Sequence, residues 1–429
     1  MAAAASIPRA TNISRNLLTP PGIKSLRSYL QSKLDVLRRA PILLISSEAG
    51  ASSSHLKSVA DSCQWVNFTL SKQFGMRTVP TTISSAFPTN DSLVQTLELM
   101  QRTGASSVVG VGSGAAMDLA KAVQANLSNN NGLEDQTNNT RLILVPTTYS
   151  GVIAAGASHS LFLDGDEETL VPLPLNHQQV LATPDGAGTS ATVVATLDPQ
   201  KYMEHLDDAK VDVLLYAVSA ILLDAGSRKS THPSLPILLQ STIDLISLRK
   251  NNNSDSEIST TNDQLLAAMI PSLTNLLYES AGLLSYGLSD GFLEEDNRSI
   301  TIALGSSLIP TLFPETHPIS FIASLVPGLC HYYSQQQHQQ HDQQQQTEND
   351  GNDDSINDKL RTLVQQLQEQ PSEGGMRPPP SLVTRDETLE GFSIPDMALS
   401  HIQSNQAVWK PQDVPDDMLM QVLQHSLKQ

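Results

Sequence analysis

The sequence predicts a two-domain protein, with an N-terminal α/β domain built on a parallel sheet and an all-helical domain after it. Three observations support this prediction. The chain has 429 residues, which is longer than a chain that folds around a single hydrophobic core usually is. Up to residue 150, short apolar runs alternate with segments of helical period, which is typical of a parallel sheet covered by helices. From residue 199 onward, Leu-rich helical periodicity dominates.

The first domain is predicted to span residues 17–198, after a flexible N-terminus at 1–16. Its continuous apolar runs indicate buried parallel strands, at residues 41–46, 107–111 and 141–145. Segments of helical period lie between these runs, at residues 55–64, 92–103 and 115–127. From 151 to 198 short alternating pieces separated by Gly and Pro predict hairpins and loops that close the domain.

The second domain is predicted to span residues 199–429 and to be all-helical. Its main helices are expected at 211–223, 234–249, 262–287 and 298–309. Residues 335–356 are rich in Gln, His, Asn and Asp, and because they offer almost no apolar side chain for a core, they predict a disordered surface insertion.

Composition narrows the function classes. Hydrophobic residues make up 39% of the chain and charged residues 16%, which is typical of a soluble globular protein. The net charge of −18 repels phosphate backbones and anionic membranes, so neither nucleic acid nor a membrane is an expected partner. No apolar run approaches the roughly 18–20 residues of a membrane span. Cys63 and Cys330 lie far apart and predict no disulfide framework.

The N-terminus leaves the compartment open between two readings. Before Asp35 the chain carries Arg and Lys residues but no acid, as a mitochondrial or plastid transit peptide would. The alternative is an ordinary cytoplasmic N-terminus that leads into a helix, and this is the reading we favour.

A glycine-rich turn is the strongest local signal. Gly110, Gly112, Ser113 and Gly114 join the strand at 107–111 to the following helix. Glycine lets the backbone approach a ligand closely, and the N–H groups and dipole of a helix N-terminus suit a diphosphate. The pattern predicts a dinucleotide-binding domain of Rossmann type. The alternative is a tight strand-to-helix turn without a ligand.

Here the residues resemble a known family. Gly112-Ser-Gly-Ala, followed by Asp118 and Lys121, is similar to the Gly-Gly-Gly-Ser-x-x-Asp-x-Ala-Lys motif of the iron-containing alcohol dehydrogenase superfamily. The resemblance implies the dehydroquinate synthase-like two-domain fold and assigns Asp118 and Lys121 to the cofactor site. Ser113 and Ala115 depart from the motif. Taken alone, Asp118 and Lys121 form an i,i+3 ion pair of the kind that stabilises a helix by a few tenths of a kcal/mol.

A second block strengthens the resemblance. Residues 146–151, Pro-Thr-Thr-Tyr-Ser-Gly, resemble the loop that lines the nicotinamide and phosphate site, in the form found in maleylacetate reductases. Thr147 and Thr148 are hydroxyl donors at a strand end, where open α/β sheets bind ligands, although a capping role explains them equally well. After the first strand, Ser47 stands near the position where the family often has an Asp for the ribose. Without that carboxylate, both NAD(H) and NADP(H) are expected cofactors.

The metal site of the family is only partly present. The resemblance implies an Asp, a His four residues later, and two further His residues. Here Asp212 is followed by Tyr216, and His317 fits the last ligand position, while Ala303 and Ser307 stand where histidines are common. Asp212 and His317 alone do not make a conventional iron or zinc site, so full dependence on either metal is not expected. The alternative reading gives both residues structural roles.

The resemblance implies an NAD(P)-dependent oxidoreductase that transfers hydride between nicotinamide and a small carbonyl or alcohol in an interdomain cleft. His317, Tyr216 and Ser307 are then the candidate catalytic residues. The main alternative is a catalytically impaired descendant that binds a dinucleotide or a protein partner without turnover. A metal-dependent lyase ranks third. A homodimer is compatible with the sequence, which does not decide the oligomeric state.

Overall fold

A computed structural model describes most of both halves of the chain. The described residues are 17–18, 26–27, 29–31, 33–47, 57–130, 141–157, 159–163, 170–174, 192–195, 204–228, 232, 234–252, 259–284, 299–309, 312–313, 316–344, 353–369, 376–380, 400 and 416–427. The chain forms two compact units, one over Thr11–His205 with Ser289–Phe292, the other mainly over Leu206–Leu288 and Leu293–Gln429. The first unit has α/β structure and the second is helical, which confirms the predicted fold class.

The first unit is built on a six-stranded parallel sheet. Its strands, in chain order, are β1 (Leu17–Leu18), β2 (Ile42–Ser47), β3 (Thr78–Ile83), β4 (Ser107–Gly112), β5 (Arg141–Pro146) and β8 (Thr192–Ala195), and they lie side by side in the order β1-β8-β5-β4-β2-β3. β2 pairs with β3 on one side and with β4 on the other. The strand order therefore reverses between β2 and β4, where open α/β sheets bind ligands beyond their carboxyl ends.

Helices connect the strands of this sheet. They are α1 (Leu34–Leu37), α2 (Lys57–Phe68) with a π-helical extension over Thr69–Gln73, α3 (Asn90–Thr103), α4 (Gly114–Asn130) and α5 (Tyr149–Gly156). α3 shows why helices begin and end where they do. Thr89 and Ser92 form a capping box at its start, and Gly104, at φ 65°, ends it in the left-handed conformation that glycine adopts at least cost.

The segment from 151 to 198 is only partly the predicted set of hairpins. β6 (His159–Leu163) and β7 (Leu170–Pro174) form an antiparallel pair, as expected. β8, however, joins the parallel sheet between β5 and β1. Val194 and Ala195 in β8 are fully buried, so this short run belongs to the core of the sheet rather than to a half-exposed hairpin.

The second unit is organised around a buried central helix. Its helices are α6 (Asp208–Ser227), α7 (Leu235–Asn252), α8 (Ser259–Leu284), α9 (Ile300–Leu308), α10 (Pro318–Ser324), α11 (Val326–Gln344), α12 (Asp353–Gln368) and α13 (Asp416–Leu427). The sequence of α6 from Val211 to Ala225 is buried on nearly every side, and α6 contacts α7, α8, α10 and α11. Asp207 caps its N-terminus by accepting from the Lys210 N–H.

The predicted insertion at 335–356 differs from the expectation of disorder. α11 continues to Gln344, and α12 begins at Asp353, so both ends of the segment are helical. Residues 345–352 lie outside the described part. Gln is a good helix former, and a helix already nucleated in the apolar sequence before it propagates at little cost.

Membrane insertion finds no support in the helices. Over the described residues, none of them has the combined length and hydropathy that a bilayer crossing requires.

Candidate functional site

The sheet brings the predicted cofactor residues of the first unit to one edge. In the register of the strands, Ser46 of β2 lies beside Val111 of β4, and Gly112 lies beside Pro146 of β5. Ser47, Ser113 and Thr147 therefore leave the carboxyl ends of adjacent strands together. This edge lies at the reversal of strand order and is the candidate dinucleotide site.

Gly112 permits the turn at this edge. Its φ is 129°, a conformation that residues with a side chain rarely adopt. A Cβ on Gly112 would lie 2.5 Å from the Oγ of Ser47. Its carbonyl accepts from the Thr147 N–H at 3.0 Å, and a Cβ on Gly151 would come within 2.7 Å of that carbonyl oxygen. Gly112 and Gly151 are thus required by close backbone approach.

Gly110 has a packing role, and the cofactor contact predicted for it stays a prediction. A Cβ at this position would lie 2.8 Å from the Cβ of Ala120 and 3.1 Å from the carbonyl oxygen of Ala116. Gly110 thus lets α4 pack tightly onto β4. Gly114, by contrast, begins α4, and a Cβ there would make ordinary van der Waals contact with α5, 3.6 Å from the Cβ of Ala154.

Ser47 and Ser113 form a hydroxyl pair over the turn. The Ser113 N–H donates to the Ser47 Oγ at 2.8 Å, and the two Oγ atoms lie 2.7 Å apart. The pair carries no charge, and its two hydroxyls donate or accept as a ligand requires. The same pair also satisfies one of the N–H groups of the turn, that of Ser113.

The two threonines of the Pro-Thr-Thr segment have different surroundings. The Thr148 Oγ1 accepts from the Gly151 N–H at 3.1 Å and so caps α5, and it also lies 2.9 Å from the Ser150 Oγ. The Thr147 Oγ1 is fully buried and has no hydrogen-bond partner among the residues that the structure describes. A buried hydroxyl without a partner costs about 1–3 kcal/mol, and this makes Thr147 the candidate ligand contact of the two.

Asp118 and Lys121 are buried inside the unit rather than placed at the phosphate turn. The Lys121 Nζ lies 3.2 Å from Asp118 and donates to the carbonyls of Ala154, Ala157 and His159 at 2.6, 3.1 and 2.5 Å. The ammonium therefore caps the C-terminus of α5 by binding its last carbonyls, and it links α5 to β6. The pair is buried rather than a weak surface contact, and the assignment of both residues to the cofactor site stays a prediction.

Burial controls the protonation of this ion pair. It raises the pKa of the Asp118 carboxyl to about 6, although the ammonium of Lys121 and the Leu161 N–H oppose the shift. Burial also lowers the pKa of the Lys121 ammonium, and the charge of Asp118 opposes that shift. Each charge is maintained in the protein interior mainly by the other.

A thiol lies beneath the same edge and was not singled out from the sequence. The Cys63 Sγ donates to the Val111 carbonyl at 3.7 Å. Burial raises the pKa of Cys63 to about 11. Cys63 is therefore a protonated, structural thiol at neutral pH.

In the second unit, Asp212 is engaged by an arginine. The Arg249 guanidinium donates to Asp212 at 2.9 Å through Nε and at 3.4 Å through Nη2, and the Arg377 backbone N–H donates to the Oδ2 at 3.2 Å. Arg249 was missed in the sequence because it ends an amphipathic helix, where a cation is ordinary. The one indication in the sequence is that the helical period places Arg249 on the buried face of its helix.

The other predicted metal and catalytic residues have separate environments. Tyr216 is buried, and burial, with smaller effects of Asp212 and Cys330, raises its pKa to about 12. His317 is exposed and caps α10, since its Nδ1 accepts from the Ile319 N–H at 3.3 Å. Ser307 lies in α9, and its side chain lies outside the described part of the structure.

These residues do not fit a metal. Both oxygens of Asp212 already accept hydrogen bonds, and the Nδ1 of His317 serves as a helix cap. Over the described residues, no three His, Cys, Asp or Glu side chains come together as a metal site. The assignment of Asp212 as a ligand is therefore corrected, for the physical reason that a protein cation holds its carboxylate.

Comparison with known proteins supports the resemblance found in the sequence. Residues 28–160 match the family model of the iron-containing alcohol dehydrogenases. A comparison with curated proteins gives no match.

Solved structures extend the likeness over nearly the whole chain. NADH-dependent butanol dehydrogenase A from Thermotoga maritima is 14% identical, with 98% of each chain covered and a TM-score of 0.58. Maleylacetate reductase from Rhizobium sp. is 13% identical, with 96% of each chain covered and a TM-score of 0.55. An iron-containing alcohol dehydrogenase from Thermotoga maritima is 17% identical, with 96% and 97% covered and a TM-score of 0.55. These likenesses establish the fold, and together with the family match they confirm the resemblance to this superfamily.

Proposed function

Starting from the resemblance to iron-containing alcohol dehydrogenases, we propose that this chain is an oxidoreductase that uses a nicotinamide dinucleotide to interconvert a small carbonyl compound and its alcohol. The buried Thr147 hydroxyl carries the proposal. It has no hydrogen-bond partner among the described residues, and its own N–H binds the carbonyl of Gly112 in the glycine turn. A hydroxyl left without a partner at the ligand-binding edge of the sheet is accounted for by a bound ligand.

The chain's own groups suit the dinucleotide. The diphosphate would lie at the N-terminus of α4, where the backbone N–H groups and the helix dipole are favourable. The hydroxyls of Ser47 and Ser113 would face the adenosine ribose. Because neither is charged, a 2′-phosphate is not repelled, and both NAD(H) and NADP(H) are proposed as cofactors.

In this proposal, side chains of the protein supply and accept the proton of the reaction. The bound nicotinamide supplies or accepts the hydride, and the substrate oxygen gains or loses a proton. With its pKa near 12, the phenol of Tyr216 is neutral at physiological pH, so we propose it as the hydrogen-bond donor to the substrate oxygen. Ser307 and His317 are proposed as the further polar groups of this site.

A second function is favoured by two observations. Arg249 holds the carboxylate that the family uses for its metal, and Ser47 already binds the Ser113 N–H in the glycine turn. Both are compatible with a chain that binds a dinucleotide but no longer turns it over. This second proposal differs from the first only in catalysis.

Titration of the full chain with NADH and NADPH, followed by fluorescence, tests the proposal. Saturable binding of either dinucleotide, with oxidation of the reduced form on addition of small aldehydes or keto acids, is the expected result. Binding without oxidation across the substrate panel would leave the second function. Failure to bind either dinucleotide would refute both.

Two matched variants locate the site. Thr147→Val removes a hydroxyl without a partner, so we expect weaker dinucleotide binding with unchanged or slightly greater stability. Thr148→Val removes a helix cap and should lower stability by about 1 kcal/mol, with a smaller effect on affinity. If Thr147→Val binds as tightly as the wild type, Thr147 is not a ligand.

A further inference from the structure

The Asp212 carboxylate lies in an unusual place for an ion pair. It is on α6, the buried central helix of the second unit, and it is 1% exposed. An isolated carboxylate there would be strongly destabilising unless a cation and hydrogen bonds compensated it. The resemblance to metal-dependent enzymes suggests a divalent ion for this purpose, but the structure supplies a different cation.

Arg249 of α7 provides that cation. Its side chain is 4% exposed, its Nε and Nη2 both donate to Asp212, and its Nη1 lies 3.3 Å from the Oδ1 of Asp208. Asp208 and Asp212 are four residues apart and share a face of α6. One guanidinium therefore forms a two-point hydrogen-bonded pair with Asp212, for which the planar fork of arginine is suited, and an ion pair without a hydrogen bond with the more exposed Asp208.

The remaining acceptor capacity of Asp212 is also used. The Arg377 N–H donates to its Oδ2 at 3.2 Å, so α6, α7 and the segment at 376–380 meet at this carboxylate. A divalent ion would have to displace the guanidinium from Asp212. Tyr216, one turn along α6, is a protonated phenol and a poor ligand in that state.

We propose that Arg249 is a built-in cation that takes the place of a metal ion at Asp212, so that the second unit folds and stays folded without iron or zinc. The Asp208–Arg249–Asp212 cluster then has the structural role of the metal, joining α6 to α7. This inference does not depend on dinucleotide binding or on turnover.

Metal analysis of the full chain is the first test. Protein produced with added iron and zinc should contain far less than one ion of either per chain, and neither a chelator nor added Zn²⁺ should move its Tm. One tightly bound ion per chain, or a fall in Tm when a chelator removes it, would overturn the proposal.

Variants at the cluster form the second test. Arg249→Met leaves two carboxylates without their cation and should lower the Tm by several degrees. The double variant Asp212→Asn with Arg249→Met removes the guanidinium and the buried Asp212 carboxylate and leaves only the more exposed Asp208. It should recover part of that loss, as expected when the loss comes from an unpaired buried carboxylate. Equal Tm values for Arg249→Met and the wild type would overturn the proposal.

A matched control separates this cluster from arginine pairing in general. Arg228 binds Asp224 at 3.1 Å in the same helix, far from Asp212 in sequence. Arg228→Met gives the Tm loss for breaking a buried pair at the end of α6 whose carboxylate keeps three other donors, from Ser299, Ile300 and Thr301, and adding Asp212→Asn to it should give no recovery. Recovery there equal to that with Arg249→Met would show that the effect of Asp212 is not specific, against the proposal. If Arg249→Met fails to fold, the double variant and the metal analysis still decide.

Discussion

Lys121→Met tests whether the Asp118–Lys121 pair of α4 is structural or binds phosphate. The substitution keeps an apolar chain of similar length and removes the ammonium. Three carbonyl oxygens, those of Ala154, Ala157 and His159, lose their donor. Asp118, which is 4% exposed, loses its counter-ion, so its carboxyl must either stay charged in the interior or take up a proton.

The size of the effect follows from this geometry. Removing one partner of a buried ion pair costs about 3–5 kcal/mol, and we expect a loss in that range in the free energy of unfolding. Asp118→Asn combined with Lys121→Met no longer isolates a charge and should recover about 1–3 kcal/mol of it. Denaturant unfolding, followed by circular dichroism and by intrinsic fluorescence, measures both values.

Two outcomes would refute the structural role. Lys121→Met within about 1 kcal/mol of the wild type would mean that the carbonyl contacts contribute little. A variant with wild-type stability and a large loss of dinucleotide affinity would return Lys121 to the phosphate site. Lys72→Met, at an exposed position of the same unit, is the control for removing one positive charge from an acidic chain.

Three further predictions concern packing and pH. Gly110→Ala places a Cβ 2.8 Å from Ala120, and overpacking should cost about 1–3 kcal/mol in denaturant unfolding, whereas no loss would mean that α4 shifts freely. Gly328→Ala meets the backbone of Val422, so we expect loss of α13 docking, seen as faster hydrogen exchange in 416–427; unchanged exchange would contradict the close helix crossing. Burial raises the pKa of the Glu279 carboxyl from 4.5 to about 7. The contribution of Glu279 to the free energy of unfolding is therefore most favourable below pH 4.5, where the carboxyl is neutral in both states, and it is lost as the pH rises to about 7. Glu279→Gln should remove this dependence, a difference of up to about 3 kcal/mol, and parallel stability–pH curves for the two proteins would refute the assignment.

The sequence was sufficient for the fold because its signals were local. The runs at 41–46, 107–111 and 141–145 are apolar on both faces, and the structure has β2, β4 and β5 there. The glycine turn after β4 lies where the strand order reverses, between β2 and β4. The short run at 192–195 was placed less well, since four residues do not distinguish a sheet strand from a hairpin strand.

The roles of single side chains were harder to predict because they depend on contacts distant in the chain. Lys121 and Asp118 read as a helix-surface pair or as part of a motif, and only the packing of α5 and β6 against α4 shows that both are buried. Arg249 binds a carboxylate 37 residues away, a pairing that no local pattern indicates. Thr147 and Thr148 are adjacent residues of the same type. Their roles differ because α5 begins directly after Thr148, so that Thr148 caps the helix and Thr147 does not.

The pairing of β1 with β8 affects the order in which the first unit is made. Leu17 lies beside Val194, and Leu18 beside Ala195. β1 can therefore pair with the sheet only after β8 has been synthesised. Until residues 192–195 have left the ribosome, β1 has no partner, and closure of so long a loop favours slow folding. Removal of β1 would leave β8 as an uncovered sheet edge, the kind of surface through which sheets aggregate.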